Sequence, residues 1–244
     1  MKAVRFATLA AVALALAACH FGGNAETVDA GAHAERDIAI GAYQRVAVSG
    51  PYDVEVKADG QPGIHVTGGE NLINESEFVV ENGVLKIRTK KKNIKWRWNN
   101  DSDKVRVTVT GGGGILGASI AGSGDVSVER VKSSAFSGEV SGSGNLKVPS
   151  LDTGAASFSI AGSGDISTAG KAQSVNMNIA GSGDIDGGGL VATDGELSIA
   201  GSGNISAHLT GAAKVNVMGS GDVSVTGGAK CQINKAGSGN VSCS

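Results

Sequence analysis

A four-residue sequence, Gly-Ser-Gly followed by Asp or Asn, recurs seven times in the second half of this chain of 244 residues. A nearly constant period of about twenty residues is typical of repeat architectures, in which each unit can bury its apolar face only against its neighbours. The repeat therefore restricts the chain to a stacked fold. The copies, 18 to 20 residues apart, begin at Gly122, Gly142, Gly162, Gly181, Gly201, Gly219 and Gly237.

The residues on both sides of each copy alternate between apolar and small polar types. Phe158 and Ile160 precede one copy, Val126 and Val128 follow another, and a third apolar position recurs, as at Leu151. Because successive side chains of a strand point to opposite faces, the alternation predicts strands with one buried face. The tetrapeptide could be the tip of an antiparallel hairpin or the corner of a solenoid coil. The third apolar position and additional turn signals in mid-repeat favour the solenoid, whose coils would stack at roughly 4.8 Å.

The composition of the tetrapeptide suits a sharp corner. Glycine reaches positive φ without steric cost, and Asp or Asn can cap a turn by accepting hydrogen bonds from nearby backbone N–H groups. In register, the last residues of the copies would form a structural column, in which we expect only Asp165 and Asp184 to be adjacent acids. The expected column is Asp125, Asn145, Asp165, Asp184, Asn204, Asp222 and Asn240.

The part of the chain before the repeats is expected to be an N-terminal β region over residues 37–110, with the solenoid over 111–244. Val46–Val56 repeats the strand–turn–Asp–strand arrangement with one inserted residue, which suggests degenerate coils. Residues 20–36 are small and polar and are predicted to be a flexible tether. Further strands are predicted at residues 64–67, 78–80, 84–88 and 105–110.

The first nineteen residues resemble a bacterial lipoprotein signal peptide. Lys2 and Arg5 precede an apolar run, Phe6–Ala18, which ends in Leu-Ala-Ala-Cys. The run is too short to span a bilayer but suits a secretory signal. We expect Cys19 to be lipidated and to anchor an exported protein in the cell envelope; ordinary cleavage after a small residue is the alternative. His20 follows Cys19, where an Asp often retains such proteins at the inner membrane, so the outer membrane is favoured.

Charge and composition exclude some functions. With 21 basic against 23 acidic residues, the chain lacks the positive charge of a dedicated nucleic-acid binder. Aromatic residues make up only 4% of the chain, so the core must be thin. In an oxidising envelope, Cys231 and Cys243 are expected to form a disulfide that closes the last coil.

Two sets of acidic residues are candidate sites. Calcium needs six to eight converging oxygens, and the Asp/Asn column supplies only one side chain per coil, so a structural role is favoured. Asp165, Asp184 and Asp186 could approach the carboxylate pair of a glycoside hydrolase, but no Arg, His or Tyr supports them in the sequence. We therefore expect no catalytic residue, metal or cofactor.

A basic segment holds both tryptophans of the chain. On a strand, Trp96 and Trp98 would share one face with Ile94, while Lys95 and Arg97 would share the other. An exposed segment of this kind could stack on sugars or contact the phosphates of lipid head groups or lipopolysaccharide. The alternative is that the tryptophans cover an open end or side of the solenoid. The candidate ligand-binding residues are Lys92, Lys95, Trp96, Arg97 and Trp98.

The N-terminal strands, the segment Gly83–Ile87 and the repeated strand–Gly-Ser-Gly–strand units together resemble the bacterial family called "putative autotransporter adhesin, head GIN domain" over residues 38–241. The resemblance implies an exported, single-stranded, right-handed parallel β-helix with about twenty residues per coil. It implies no chemistry.

We expect a non-enzymatic, adhesin-like envelope lipoprotein that binds an envelope glycan or a protein partner. One alternative is a carbohydrate-active enzyme, a polysaccharide lyase or hydrolase, on the same fold. A structural or regulatory lipoprotein without an extended ligand is the other. The oligomeric state is left open.

Overall fold

The computed structural model describes residues 26–91, 94–98 and 100–244. The predicted signal peptide, including Cys19, and the candidate Lys92 lie outside the described residues. The chain forms an all-β structure: an N-terminal block of strands followed by a β-solenoid of about six turns, with about 20 residues per coil. The predicted fold class is therefore confirmed.

The N-terminal block contains one short helix, α1 (Glu70–Asn74), and a 3-10 turn (Asp101–Asp103). Its strands are β1 (Glu26–Asp29), β2 (His33–Ala39), β3 (Arg45–Ser49), β4 (Asp53–Val56), β5 (Gly63–Gly69), β6 (Ser76–Glu81), β7 (Val84–Thr89), β8 (Ile94–Arg97) and β9 (Arg106–Thr110).

In the repeat region, each Gly-Ser-Gly corner separates two consecutive strands. The strands of this region are β10 (Gly117–Gly122), β11 (Asp125–Val128), β12 (Val131–Gly142), β13 (Leu146–Gly162), β14 (Ile166–Gly181), β15 (Ile185–Gly201), β16 (Ile205–Leu209), β17 (Ala212–Gly219), β18 (Val223–Thr226), β19 (Lys230–Gly237) and β20 (Val241–Cys243).

Parallel pairing between successive coils defines the solenoid. Ile160 pairs with Ile179, and Ile179 pairs in turn with Ile199, one coil further along. Equivalent residues of neighbouring copies therefore lie directly beside one another and form columns across the strands. An antiparallel meander would have reversed every second strand, so the hairpin alternative is excluded for the repeats.

The apolar residues of the repeat line a narrow interior on three sides. Phe158 precedes its corner, Val128 follows one, and Leu151 occupies the third position; each is at most 1% exposed. Apolar area removed from water stabilises a fold by roughly 25 cal/mol per Å². Since each coil is only one strand thick, that gain is available only while its neighbours cover it.

Close approach between coils explains the second glycine of each corner. A Cβ built on Gly203 would lie 1.9 Å from the carbonyl oxygen of Gly183, the same position of the preceding coil. The first glycine accepts backbone hydrogen bonds as well: the carbonyl of Gly142 accepts from the N–H groups of Ser163 and Gly164 at 2.9 and 3.1 Å. The corners of the repeats therefore stack backbone on backbone, with no room for a side chain at the second glycine.

The degenerate coil predicted over Val46–Val56 is present, but its inserted residue is not. Val48 pairs with Ile120 and Asp53 pairs with Asp125, so both corners have the same length. Gly-Pro-Tyr-Asp simply replaces Gly-Ser-Gly-Asp, with Tyr52 in the place of the second glycine. Tyr52 points inward and is fully buried, and its hydroxyl donates to Ser76 Oγ at 3.1 Å.

The order of coils in space differs from their order in the chain. Strands β7 and β9 pair with the outer edges of β3 and β4, so the later segment forms the end of the stack. Antiparallel strands then cover this end, β6 on β7 and β5 on β9. Helix α1 contributes two further buried residues, Leu72 and Ile73. The predicted strands at residues 64–67, 78–80, 84–88 and 105–110 are all part of this block.

The prediction of a flexible tether over residues 20–36 is wrong for residues 26–36, the part that the structure describes. Strand β1 pairs with β8, and β2 pairs with β5 from His33–Gly69 to Ala39–Gly63. Backbone pairing along β5 orders this polar segment, although it has few apolar side chains to bury. No helix among the described residues is long and apolar enough to cross a membrane.

Candidate binding surfaces

A groove of about 840 Å³ runs across the strands of the solenoid. It lies where each coil bends between the side that contains Leu151 and the side that contains Phe158. Its floor is a single column of residues that pair coil to coil. The column is apolar and nearly buried, with small side chains at several coils. It consists of Phe136, Ala156, Val175, Gly195 and Ala213.

The two walls of the groove are the columns on either side of the floor. One wall contains Ala135, Ala155, Ser174, Asp194 and Ala212. The other contains Ser137, Ser157, Asn176, Glu196 and Lys214. At roughly 4.8 Å per strand, the five coils span about 20 Å.

Charges lie only towards the two ends of the groove. Arg45 lines the end nearest the N-terminal block. At the other end, Lys214 Nζ lies 2.8 Å from Glu196 Oε1, and the Asp194 carboxylate accepts the backbone N–H of Ala212 at 2.9 Å. Between these ends the walls offer hydroxyl and amide groups, and the floor offers apolar contact.

The groove was not predicted from the sequence, although the sequence contains a signal for it. Each floor residue lies six positions before the first glycine of a corner, as Ala156 does before Gly162 and Ala213 before Gly219. Alignment of the copies on their corners places small residues in this column. The column is a mixture of Phe, Ala, Val and Gly, so the alternation of residue types does not distinguish it from other inward positions.

The Asp/Asn column forms a hydrogen-bonded ladder along the corners. Each side-chain oxygen accepts the backbone N–H of the equivalent residue in the next coil. Asn145 donates its backbone N–H to Asp125 at 2.9 Å, and Asp165 donates to Asn145 at 3.1 Å. The same relation continues from Asp184 through Asn204, Asp222 and Asn240.

Of the three acidic residues considered for catalysis, Asp165 and Asp184 belong to this ladder. Asp165 Oδ1 accepts the N–H of Asp184 at 2.9 Å. Asp186 lies on the next outward position, where it accepts the N–H of Gly188 at 3.3 Å. Among the described residues, no group of three or more His, Cys, Asp or Glu side chains could hold a metal ion.

Asp53 extends the acidic column beyond the residues named in the sequence analysis. Because it pairs with Asp125, Asp165 and Asp184 are not the only adjacent acids. Burial raises the pKa of Asp53 above its ordinary value, and the charge of Asp125 adds to the rise, whereas Lys104 and Arg106 oppose it. The expected count of adjacent acids was wrong because the insertion assumed before Asp53 is absent.

The tryptophan segment forms β8, which pairs with β1 as a separate two-stranded ribbon. Trp96 is half-buried and meets Tyr52 edge to face, with ring centroids 4.9 Å apart, while Trp98 is 37% exposed. Lys95 and Arg97 are exposed on the opposite face. Trp96 thus covers the corner of the coil at Tyr52, as the alternative to a ligand-binding role had it. Trp98 remains accessible.

The structure brings Cys231 and Cys243 together as a disulfide, with Cα atoms 6.6 Å apart. Cys231 pairs with the buried Ala213, and Cys243 pairs with the buried Val225. Both cysteines therefore occupy inward columns of the last coil, and their bridge crosses its interior.

Several crystal structures have a fold similar to that of this chain. A crystal structure from Parabacteroides distasonis, titled a putative lipid binding protein, is 24% identical with a TM-score of 0.72, covering 90% of this chain and 100% of that chain. A putative adhesin from Bacteroides fragilis is 23% identical with a TM-score of 0.79, covering 88% and 99%. A putative adhesin from Parabacteroides merdae is 23% identical with a TM-score of 0.68, covering 89% and 99%. At these identities the likeness concerns the fold.

No curated protein matches the chain significantly. A family model described as "Putative auto-transporter adhesin, head GIN domain" matches residues 42–229, which include the coil of β3 and β4, the covered end and most of the repeats. The chain belongs to this auto-transporter adhesin, head GIN domain family.

Proposed function

We propose that this protein is a non-enzymatic, adhesin-like scaffold of the cell envelope that binds an extended glycan chain along its groove. The observation that carries the proposal is the groove itself, about 840 Å³ in volume, with walls that repeat from coil to coil. A long, straight site with repeated contacts suits a polymer with repeated units. The family, whose name refers to adhesins, supports recognition over catalysis.

The chemistry of the walls favours a glycan over an extended peptide. The backbone N–H and C=O groups along the floor are engaged in parallel pairing, as at Ala156–Val175, so they cannot add a peptide as another strand. Ser157, Ser174 and Asn176 instead present side-chain donors and acceptors at the coil spacing. One pyranose unit of an extended glycan is about as long as the spacing between coils.

The two acids of the groove support a binding role. The carboxylate of Asp194 caps the turn before Ala212, and that of Glu196 pairs with Lys214. Each is therefore held by a neighbour of the next coil. Hydrolysis of a glycoside would need two carboxyl groups on opposite sides of the bond, one of them free to donate a proton.

The proposal includes export and a lipid anchor at Cys19, in the outer membrane. The support is the Leu-Ala-Ala-Cys sequence after a charged and an apolar segment, together with the adhesin family. Mass spectrometry of the N-terminal peptide from the native host would test the anchor directly. A diacylglyceryl group on Cys19 is expected, and an unmodified terminus elsewhere would refute it.

The binding proposal is tested with a matched pair of variants. Ser157→Tyr places an aromatic ring in the groove, whereas Ser167→Tyr makes the same change on an exposed outward position away from it. The chain from His20 onward is used, because the buried apolar residues of the described part of the chain all lie between Ala30 and Val225. Binding is measured against a panel of envelope polysaccharides and purified lipopolysaccharide.

Saturable binding that Ser157→Tyr weakens at least about tenfold, and Ser167→Tyr leaves unchanged, would support the groove. Equal loss in both variants would mean that the substitution acts on the fold, which a melting curve would show. Absence of binding to every glycan by the folded wild-type protein would refute the glycan proposal.

A further inference from the structure

We propose that the outer face of the β1–β8 ribbon docks on the anionic phospholipid surface of the membrane to which the protein is anchored. This inference rests on the lipid anchor of the proposed function, but it concerns a different surface from the groove. The observation behind it is that the ribbon combines exposed basic side chains, an exposed tryptophan and the start of the described chain in one place.

The ribbon has one inward and one outward face. Val28 pairs with Trp96, and both are half-buried, with Trp96 packed on Tyr52. The outward positions of β8 are Lys95 and Arg97, both exposed. The Arg97 carbonyl accepts the N–H of Ala30 at 3.0 Å, and the Ala30 carbonyl accepts the N–H of Asn71 at 3.0 Å, which ties the ribbon to helix α1. The basic side chains therefore have a defined direction away from the core.

The charge of this part of the chain is strongly asymmetric. Residues 86–97 contain seven of the 21 basic residues and no acid. Acids outside this segment pair with several of them: Asp29 lies 3.5 Å from the Arg97 guanidinium and Glu75 lies 3.8 Å from Lys91, while on the neighbouring hairpin Glu77 pairs with Arg88 at 2.6 Å and Glu81 with Lys86 at 2.5 Å. The Arg97–Asp29 pair is more than half exposed on both sides, and such pairs contribute little, so a phosphate can compete for the guanidinium.

The position of the ribbon brings these charges close to the anchor. Glu26, the first residue of β1, is the seventh residue after Cys19. An extended chain of that length reaches at most about 25 Å. A lipid on Cys19 therefore holds the β1–β8 ribbon near the head groups, while the last coil is at the opposite end of a stack roughly 38 Å long.

Trp98 adds a second feature suited to a bilayer surface. Tryptophan is enriched at the membrane–water interface, where its ring lies among head groups. Trp98 is 37% exposed and meets Trp96 edge to face, with centroids 6.5 Å apart, so it is supported from within the fold. Docking through this face would stand the solenoid on its covered end and direct its groove away from the membrane.

The test uses the two tryptophans as the reporter, because the chain contains no others. The chain from His20 onward, without any lipid, is mixed with phosphatidylcholine vesicles, either pure or containing phosphatidylglycerol. Sedimentation with the vesicles gives the partition coefficient, and head-group-labelled quencher lipids report contact with Trp98. Trp98→Phe identifies its share of the signal.

We expect binding to the anionic vesicles that weakens with salt, and quenching that Trp98→Phe removes. Each basic side chain near an anionic surface contributes roughly fivefold, so the double variant Lys95→Gln/Arg97→Gln should bind about 25-fold more weakly. The control Lys147→Gln/Lys171→Gln makes the same charge change on the sides of the solenoid and should bind as wild type.

Equal partition into neutral and anionic vesicles, or equal loss in both double variants, would overturn the docking proposal. This assay contains neither a lipid anchor nor a glycan, so its failure leaves the groove and the modification of Cys19 to be judged by their own experiments.

Discussion

The carboxylate of Asp184 accepts the backbone N–H of Asn204 at 2.7 Å and its side-chain amide at 3.0 Å, across two successive coils. Both donors of Asn204 therefore depend on the preceding coil for this acceptor. The corner interrupts the strand pairing, so the side chain replaces a backbone acceptor at each step of the ladder. The Asp/Asn position is thus an inter-coil contact as well as a turn residue.

Replacement of Asp184 by alanine should therefore weaken the stack. Loss of the acceptor leaves the N–H of Asn204 to water, and we expect unfolding in urea to become easier by about 0.5–1.5 kcal/mol. Asp184→Asn keeps an oxygen at the same place and should cost less. If alanine and asparagine destabilise equally, the ladder bond contributes nothing and the charge alone accounts for the effect.

Replacement of Gly203 by alanine should be more damaging. Its Cβ would meet the Gly183 carbonyl at 1.9 Å, a contact that only separation of the two coils can relieve. Overpacking typically costs about 1–3 kcal/mol, and so short a contact with a backbone atom places the expected cost at the upper end. Gly114→Ala is the matched control, because nothing lies within 4 Å of the added methyl group. Similar unfolding midpoints for the two variants would show that the coils do not approach as closely as described.

The two parts of the fold differ in how well the sequence predicts them. The corners repeat visibly because close backbone stacking allows only glycine, as at Gly203, and the alternation around them marks the buried columns. The order of coils at the N-terminal end has no comparable signal. That β7 and β9 stack outside β3 and β4 depends on pairing between distant segments.

The candidate surfaces were predicted less well than the fold. The groove depends on which inward column has small side chains, such as Ala156 and Ala213, and this becomes visible only when the copies are aligned on their corners. The charge of Asp53 was missed because its register with Asp125 depended on an insertion that is absent. The alternation of β8 placed Lys95 and Arg97 on one face correctly, but nothing in the sequence indicated its pairing with β1.

The stability of the fold should depend on pH through Asp53. Its pKa is raised above the ordinary value of an aspartate, first by burial and then by the charge of Asp125. The folded state therefore binds the proton more tightly than the unfolded state. The stability associated with this group is present below the unfolded pKa and is lost as the pH rises through the folded pKa. At neutral pH, Asp53→Asn should melt at a higher temperature than wild type.

The difference between Asp53→Asn and wild type should shrink as the pH falls below the unfolded pKa of the carboxyl group. Asp125→Asn removes the neighbouring charge and retains an acceptor for Asn145. The gain from Asp53→Asn should be smaller in that background, because the two acids repel each other. A lower melting temperature for Asp53→Asn at neutral pH would mean that attraction to Lys104 and Arg106 outweighs burial.

Reduction of the Cys231–Cys243 disulfide should act locally. The bridge joins residues 12 apart in the chain, and closure of so short a loop stabilises by roughly 3 kcal/mol in the chain-entropy model. In a stacked repeat each coil contacts only its neighbours, so the effect should remain at the end of the stack. Hydrogen exchange should therefore accelerate in β19 and β20 of the Cys231→Ser/Cys243→Ser variant, while β13 and β14 keep their protection. Faster exchange throughout the solenoid would instead show that the coils unfold as one unit and that the bridge stabilises all of them.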